Sequence, residues 1–353
     1  MNISTIMQSN SIYKAIIKDD IDTDELVSHY TEPNRFYHSL SKHLEPMFEE
    51  IERASNLLDP IDKEILQIVA LFHDIVYKVG QPKNEEKSIQ FFKSCLKSDL
   101  SGHIIHILNI ISMIEDTAHY LDPDRVRTKL SDIFMSIDCK GLFFDTGLKM
   151  VENEKDLMKE FQLYPYKEYV KARLDFLRKF CDAHVSLNDR KTLQNFDERA
   201  YYLENYRPKI GIFPGSFNPF HKGHMNILEK AEKIFDKVIV AIGINPAKKD
   251  EIDWINHDIT AEKLSYRQVK AYSSLLPDLL EGLSMDSCDY TVIRGIRDSS
   301  DIQHELNLIR FSQEKFPQIQ FLLIPCDHQF SHISSSAIRE IQFFDQQFVN
   351  NYI

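Results

Sequence analysis

The spacing of apolar residues divides the chain into two textures. Up to about residue 205, apolar positions recur every three or four residues, the period of helices that bury one stripe. Ile65, Leu66, Ile68, Val69, Leu71, Phe72, Ile75 and Val76 form one broad stripe. Ile104, Ile105, Ile107, Leu108, Ile110 and Ile111 predict a second buried segment, and Tyr169, Val170, Leu174, Phe176 and Leu177 a third. Asp59-Pro60 and Asp122-Pro123 read as helix starts, with Asp as cap and Pro in the first turn. The texture changes at Arg207-Pro208. Short β-branched and apolar runs at 209–213, 237–244, 290–293 and 319–324 are separated by helical stretches. That alternation predicts a parallel sheet covered by helices. We therefore expect an all-α domain over residues 1–206 and an α/β, doubly wound, Rossmann-like domain over 207–353.

Charge narrows the function. The net charge of the 353 residues is -12, which argues against a nucleic-acid binder. Residues 1–206 hold 26 Lys and Arg against 35 Asp and Glu, and residues 207–353 hold 16 against 19. A phosphate site in the second part must then be a local cluster of positive groups on an acidic protein. Cys95, Cys139, Cys181, Cys288 and Cys326 show no C-x-x-C spacing and read as reduced thiols of a cytoplasmic protein. Neither a signal peptide nor a membrane span is expected.

The first run of the second part, KIGIF, leads into PGSFNPFHKGHMNILEKAEKIF. A strand, a turn with Gly215 and a helix beginning near Gly223 form a phosphate-binding arrangement, because a helix N-terminus offers free N–H groups and a positive dipole end. His221 and His224 bracket Lys222-Gly223 one helical turn apart and can face one ligand, and Gly223 lets backbone approach a phosphate. Two histidines near a helix start can also merely cap or pack. Three further segments weigh against that: IGINPAKKD, TVIRGIRDSSDIQHELNLIRF and HISSSAIRE. Each follows a predicted strand, where ligands bind in a doubly wound sheet. The ISSS run opens a helix, and Arg294 and Arg297 flank Gly295, where a guanidinium fork suits phosphate.

These segments carry the H-x-G-H signature of the nucleotidyltransferase superfamily. From about residue 209 to 342 the order PGSFNPFHKGH, NPAKK, YSSLL, VIRGIRDSSDIQHEL, ISSSAIRE resembles bacterial pantetheine-phosphate adenylyltransferase. The resemblance implies transfer of an adenylyl group from ATP to 4'-phosphopantetheine, with release of pyrophosphate and with Mg²⁺ bridging phosphates. It implies that His224 stabilises the α-phosphate, with His221 beside it. Ser216 and Lys248 would position the attacking phosphate. Arg297, Ser334, Ser335 and Ser336 would hold the β- and γ-phosphates, and Gly295 and Glu305 would border the adenosine. Gly215, Phe217, Gly223, Arg294, Ser274 and Leu276 complete the implied site. Ser274 stands where the family has Asp, and Ser312 where it has Asn. The ATP half thus matches better than the acceptor half, and nicotinate or nicotinamide mononucleotide, or a sugar phosphate, stays an alternative acceptor. The family forms rings, which makes a homo-oligomer an expectation.

In the helical part, His73-Asp74 sits in the apolar run VALFHDIVYK, where two polar groups need partners. A buried His and Asp are candidate ligands for Mn²⁺, Fe²⁺ or Mg²⁺. With RFYHSLSKHLEPM upstream and NEEKS, EDTAHY and IFMSIDCKGL downstream, residues 29–205 resemble metal-dependent phosphohydrolases of the HD superfamily. That resemblance implies a metal held by His43, His73, Asp74 and Asp138, with His38, Glu85, Glu86 and His119 nearby. It implies phosphate-ester hydrolysis by metal-activated water. The competing expectations are an inactive helical domain with hydrogen-bonded histidines, and a nucleotide sensor that regulates the transferase.

Overall fold

A computed structural model describes residues 2–186, 189–244, 263–283 and 288–353, without the side chain of residue 300. The chain divides into two units, Met1–Phe161 with Tyr169–Glu204, and Gln162–Glu168 with Asn205–Ile353. No helix of the described residues is long and apolar enough to cross a membrane.

The first unit is helical. Its elements run α1 (Ile3–Ser9), α2 (Ser11–Ile16), α3 (Thr23–Ser28), α4 (Glu45–Arg53), α5 (Pro60–Phe72), α6 (Asn84–Ser94), α7 (Ile104–Thr117), α8 (Lys129–Asp138), α9 (Lys140–Phe144), α10 (Gly147–Glu160), α11 (Tyr166–His184) and α12 (Arg190–Asn205). Helix α5 is the central one. It is buried on all sides from Ile65 to Phe72, as its continuous apolar run requires. Asp59 caps it by accepting from the N–H of Ile61 at 2.9 Å, with Pro60 at the first position.

Two segments differ from the pattern their sequences suggest. Asp122 begins a turn and not a helix: it accepts from the N–H of Asp124 at 3.0 Å, and the next helix starts only after Thr128, whose hydroxyl caps Ser131. Helix α7 buries Ile107, Ile110, Met113 and Ile114 but leaves Ile104, Ile105 and Leu108 exposed. Its apolar run is wider than the stripe its neighbours cover, and periodicity alone cannot report which side is covered.

A buried ionic node joins α10, α11 and α12. Glu154 accepts from Arg173 Nη2 at 2.8 Å and from Arg199 Nη1 at 2.6 Å, and Arg199 Nη2 also reaches the Gly141 carbonyl at 2.8 Å. Glu154 and Arg199 are each 1% exposed, so losing one partner strands charge away from water. We expect Glu154→Gln to destabilise the helical unit by about 3–5 kcal/mol, read as a lowered denaturant midpoint by far-ultraviolet circular dichroism.

The second unit is built on a five-stranded parallel sheet of β1 (Lys209–Gly215), β2 (Lys237–Gly243), β3 (Gln268–Tyr272), β4 (Asp289–Ile296) and β5 (Gln320–Pro325), in the order β3-β2-β1-β4-β5. Central β1 is flanked in register by β2 and β4: Ile212 lies opposite both Ile239 and Val292. Helices α13 (Lys222–Glu232), α14 (Leu276–Gly282), α15 (Ser299–Lys315) and α16 (Ser335–Gln342) follow β1, β3, β4 and β5. Phe213, Ile227, Leu228, Val238, Val240 and Ile293 meet in the core. Four strands match the predicted runs. Strand β3 was not predicted: it is an edge strand, QVKAY, with alternately exposed residues and no apolar run to announce it.

Candidate functional site

Strand β1 ends in Gly215 and hands the chain to α13 through a tight loop. Phe217 in that loop has φ 48° although it is not glycine, and its ring is buried. The ring occupies the place of a side chain at 215: a Cβ there would lie 2.7 Å from it. Gly215 is therefore required by packing of the loop on itself.

Helix α13 starts at Lys222 with His221 as its cap. The N–H of His224 donates to His221 Nδ1 at 3.4 Å, and the N–H of His221 donates to His224 Nδ1 at 3.3 Å. This reciprocal arrangement is a capping box made from two imidazoles. The rings stack with centroids 3.6 Å apart. Gly223 makes room for this: a Cβ there would press on the His221 ring at 3.1 Å. Because both Nδ1 atoms accept, a neutral ring must carry its proton on Nε2. Burial, with the Arg297 charge adding to it, lowers His221 to about 4. Burial, His221 and Arg297 hold His224 well below its ordinary value. At neutral pH the pair is thus two uncharged N–H donors.

The ends of β4 and β5 complete a cleft of about 310 Å³ lined by Gly215, Ser216, Phe217, His221, Gly223, His224, Arg294, Gly295, Arg297, Glu305, Ser334, Ser335 and Ser336. Those are sequence-predicted residues brought together in one place. Ser334 caps α16 by accepting from the Ala337 N–H at 3.1 Å. Ser335 donates to the Pro219 carbonyl at 3.1 Å, which ties the start of α16 to the β1 loop. Arg339, not singled out in the sequence, binds the Asn218 carbonyl and the Ser336 hydroxyl. Its sign is only its position one turn into the Ser-rich helix.

Lys248 lies outside the described residues. Two predicted residues stand apart. Ser274 and Leu276 are not among the lining residues, and Ser274 is exposed with its hydroxyl turned to the Leu275 carbonyl. Ser312 donates to the Leu308 carbonyl of its own helix at 2.8 Å. Arg294 offers no free fork to phosphate, because Glu305 takes it: Nη2 reaches Glu305 Oε1 at 2.7 Å, and Nη1 reaches the Pro214 carbonyl at 3.2 Å. The sequence did not single out Asp301, Cys326, Phe330 and Ile333, which also line the cleft.

A second cluster lies in the helical unit. A π-helical turn, Leu40–Leu44, presents His43, and α5 ends at His73-Asp74. His43 Nε2 lies 3.3 Å from His73 Nε2, 3.2 Å from Asp138 Oδ1 and 3.8 Å from Asp74 Oδ2. His73 Nε2 lies 3.3 Å from Asp74 Oδ2, and its Nδ1 is 3.0 Å from the Ala70 carbonyl. Four ligand-type atoms thus converge, and the Ala70 carbonyl, by accepting from Nδ1, leaves Nε2 as the inward-facing nitrogen, which carries a lone pair when the ring is neutral. Burial pulls His73 down, but Asp74 and Asp138 override it and raise it to about 10. Against the cost of burial, the histidines hold Asp138 well below the usual carboxylate range. His38 joins His43 and Asp74 in a group of ligand atoms within 4.8 Å of one another. Its Nδ1 is held at 2.7 Å by Glu160, which also accepts from Tyr77. Glu85, Glu86 and His119 belong to neither ligand group among the described residues, and Glu86 pairs with Lys83.

A strand–loop–helix turn at the carboxyl edge of a parallel sheet, with this cleft, is the setting in which the nucleotidyltransferase class is recognised, and comparison with known proteins places the domain in that class. A cytidylyltransferase-like family model matches residues 212–341. Within that class the chain belongs, through its C-terminal domain, to the phosphopantetheine adenylyltransferase family. A phosphopantetheine adenylyltransferase of Clostridium botulinum (strain Hall) is 30% identical over 142 residues, covering 38% of this chain and 83% of the relative. One from Alkaliphilus metalliredigens is 30% identical over 140 residues, covering 38% and 87%. A solved structure from Vibrio parahaemolyticus, described as a nicotinate-nucleotide adenylyltransferase, aligns with 41% of this chain and 85% of its own at 22% identity and a TM-score of 0.30.

The neutral pair has a consequence for stability. His221 has an ordinary value of 6.5 and a folded value of about 4, so the unfolded chain takes its proton first. Its contribution is present above pH 6.5 and is lost as pH falls through 4, by roughly 3 kcal/mol. We expect the thermal midpoint of the second unit to fall over that window. His221→Asn, which keeps a capping side chain, should flatten the slope, and an unchanged slope would contradict the assignment.

Proposed function

We propose that the C-terminal domain transfers the adenylyl group of ATP to 4'-phosphopantetheine, giving dephospho-CoA and pyrophosphate. The observation that carries this reading is the convergence of the His221–His224 pair, Arg297 and the Ser334–Ser336 helix start on one cleft. An oxygen of the acceptor phosphate bonds to the α-phosphorus of ATP. The bond from that phosphorus to the α–β bridging oxygen breaks, and its electron pair leaves with pyrophosphate. His224 donates from Nε2 to the α-phosphate oxygens as charge accumulates there, and a prealigned donor in a buried site needs no reorganisation. Arg297 and the α16 N-terminus hold the β- and γ-phosphates. Ser216, with Lys248, orients the acceptor phosphate. A magnesium ion bound with the nucleotide would offset part of its charge. The chain supplies positioning and charge stabilisation, and no covalent intermediate is needed.

A second acceptor class is favoured by one feature. Ser274 and Ser312 spend their hydroxyls on local carbonyls, so these positions give a pantetheine arm neither a carboxylate nor an amide. A nicotinate or nicotinamide mononucleotide, or a sugar phosphate, is the alternative. Pyrophosphate release from ATP should be measured with each acceptor in turn. We expect release with 4'-phosphopantetheine and a loss of about 10²–10³ in kcat for His224→Ala. Release only with another acceptor overturns the substrate and keeps the mechanism.

For the helical unit we propose a divalent-metal centre of His43, His73, Asp74 and Asp138 acting on phosphate esters. Two imidazoles and two carboxylates suit Mn²⁺, Fe²⁺ or Mg²⁺. Such an ion, when bound, supplies a Lewis acid and an activated water. The protein's part is the donor set, the Ala70 carbonyl that orients His73, and Tyr120, which donates to Asp138 Oδ2 at 2.9 Å. The metal content of the purified protein tests this without assuming turnover. We expect about one equivalent in the wild type by elemental analysis and loss of it in Asp138→Asn. Hydrolysis of a phosphomonoester panel then separates a hydrolase from a sensor, which would bind a nucleotide unchanged and alter the transferase rate.

A further inference from the structure

Arg294 and Arg297 both leave the end of β4, and each is gripped by a carboxylate one helical turn apart on α15. Arg294 gives Nε and Nη2 to Glu305 and Nη1 to the Pro214 carbonyl, so all three of its nitrogens are engaged. It ties β4 to the β1 loop. Arg297 gives Nε to Asp301 Oδ2 at 2.9 Å and Nη2 to Asp301 Oδ1 at 3.0 Å. Oδ2 also accepts the backbone N–H of Arg297 at 3.0 Å, and the N–H of Asp301 is held by Asp298 Oδ1 at 3.2 Å. A guanidinium has five N–H donors, and Asp301 takes two. Among the described residues, Arg297 Nη1 has no partner. The Arg297 side chain is 39% exposed and lines the cleft beside His221 and Ser334. Its charge reaches both histidines, lowering them.

We infer that Asp301 is a positioning residue for the transferase: it clamps the Nε/Nη2 edge of Arg297 and so presents the Nη1 edge to the triphosphate. The inference rests on the adenylyl-transfer reading of this cleft. Without the clamp, an exposed arginine samples many rotamers and must lose them when the nucleotide binds. With it, the fork is ordered beforehand by contacts wholly within residues 297–301. The carboxylate also brings negative charge close to where phosphates would sit. The opposite role is therefore definable: a latch that must be released before ATP can bind. The retained free edge favours positioning, since a latch would consume the fork as Glu305 and Pro214 consume that of Arg294.

The two roles differ in sign. MgATP binding by calorimetry and steady-state kinetics on the full chain decide between them, using Asp301→Asn, Arg297→Ala and the double variant. We expect Asp301→Asn to weaken MgATP binding about tenfold, the worth of one charge-assisted hydrogen bond, and to raise KM for ATP more than it lowers kcat. In the Arg297→Ala background the same change should add nothing, because Asp301 acts through that side chain. Equal or tighter binding by Asp301→Asn, or additive losses in the double variant, would overturn the inference while leaving adenylyl transfer intact. A wild-type chain that binds no MgATP would sink the transferase reading itself, and the inference with it.

Discussion

The pairing of β1 with β4 is the constraint on which the transferase domain depends. Strands β2 and β3 build outward from one side of β1, and β4 and β5 from the other. The chain reverses its direction of growth at that junction, so the connections leaving β1 and β4 diverge and leave a crevice at the carboxyl ends of the strands. Everything chemical in the domain is a consequence. The β1 connection brings in the His221 cap of α13, the β4 end brings in Arg297, and the β5 connection brings in Ser334 at the start of α16. Hydrogen bonds among these loops then fix the crevice: Ser335 to Pro219, Arg339 to Asn218, and Arg294 to Pro214.

Within that crevice the pattern of charge is sparing. The part of the chain from residue 207 on is slightly acidic, with 16 Lys and Arg against 19 Asp and Glu. In the crevice His221 and His224 are neutral, and Arg294 is spent on structure. On the proposed reading, the triphosphate would be held by backbone N–H groups, hydroxyls, neutral imidazoles and one ordered guanidinium, that is, through direction more than through net attraction.

The sequence made the catalytic half legible because its signals are local. β-Branched runs announced β1, β2, β4 and β5, and H-x-G-H, R-G-I-R and I-S-S-S mark the positions where strands give way to helices. The misses are tertiary. Strand β3 owes its existence to pairing with β2 and has no apolar run of its own. Ile104, Ile105 and Leu108 share the composition of Ile107 and Ile110, and only packing shows which side of α7 is covered. Arg294 and Arg297 look equivalent around Gly295, yet Glu305 and Pro214 consume one while Asp301 orders the other. The His73-Asp74 pair was readable as buried polar residues in an apolar helix. Its convergence with His43 and Asp138 joins segments far apart in sequence, which no local pattern marks and only resemblance to a known family suggests.

On the proposed function, the crevice at the β1–β4 junction is a triphosphate site with His224 at the α-phosphate. The most direct test is a crystal structure of the protein with a non-hydrolysable α,β-methylene ATP analogue and Mg²⁺. We expect His224 Nε2 within hydrogen-bond distance of an α-phosphate oxygen, Arg297 on the β- or γ-phosphate, and the Ser334–Ser336 turn around the terminal oxygens. A nucleotide bound elsewhere, or bound here with its triphosphate turned away from both histidines, would contradict it.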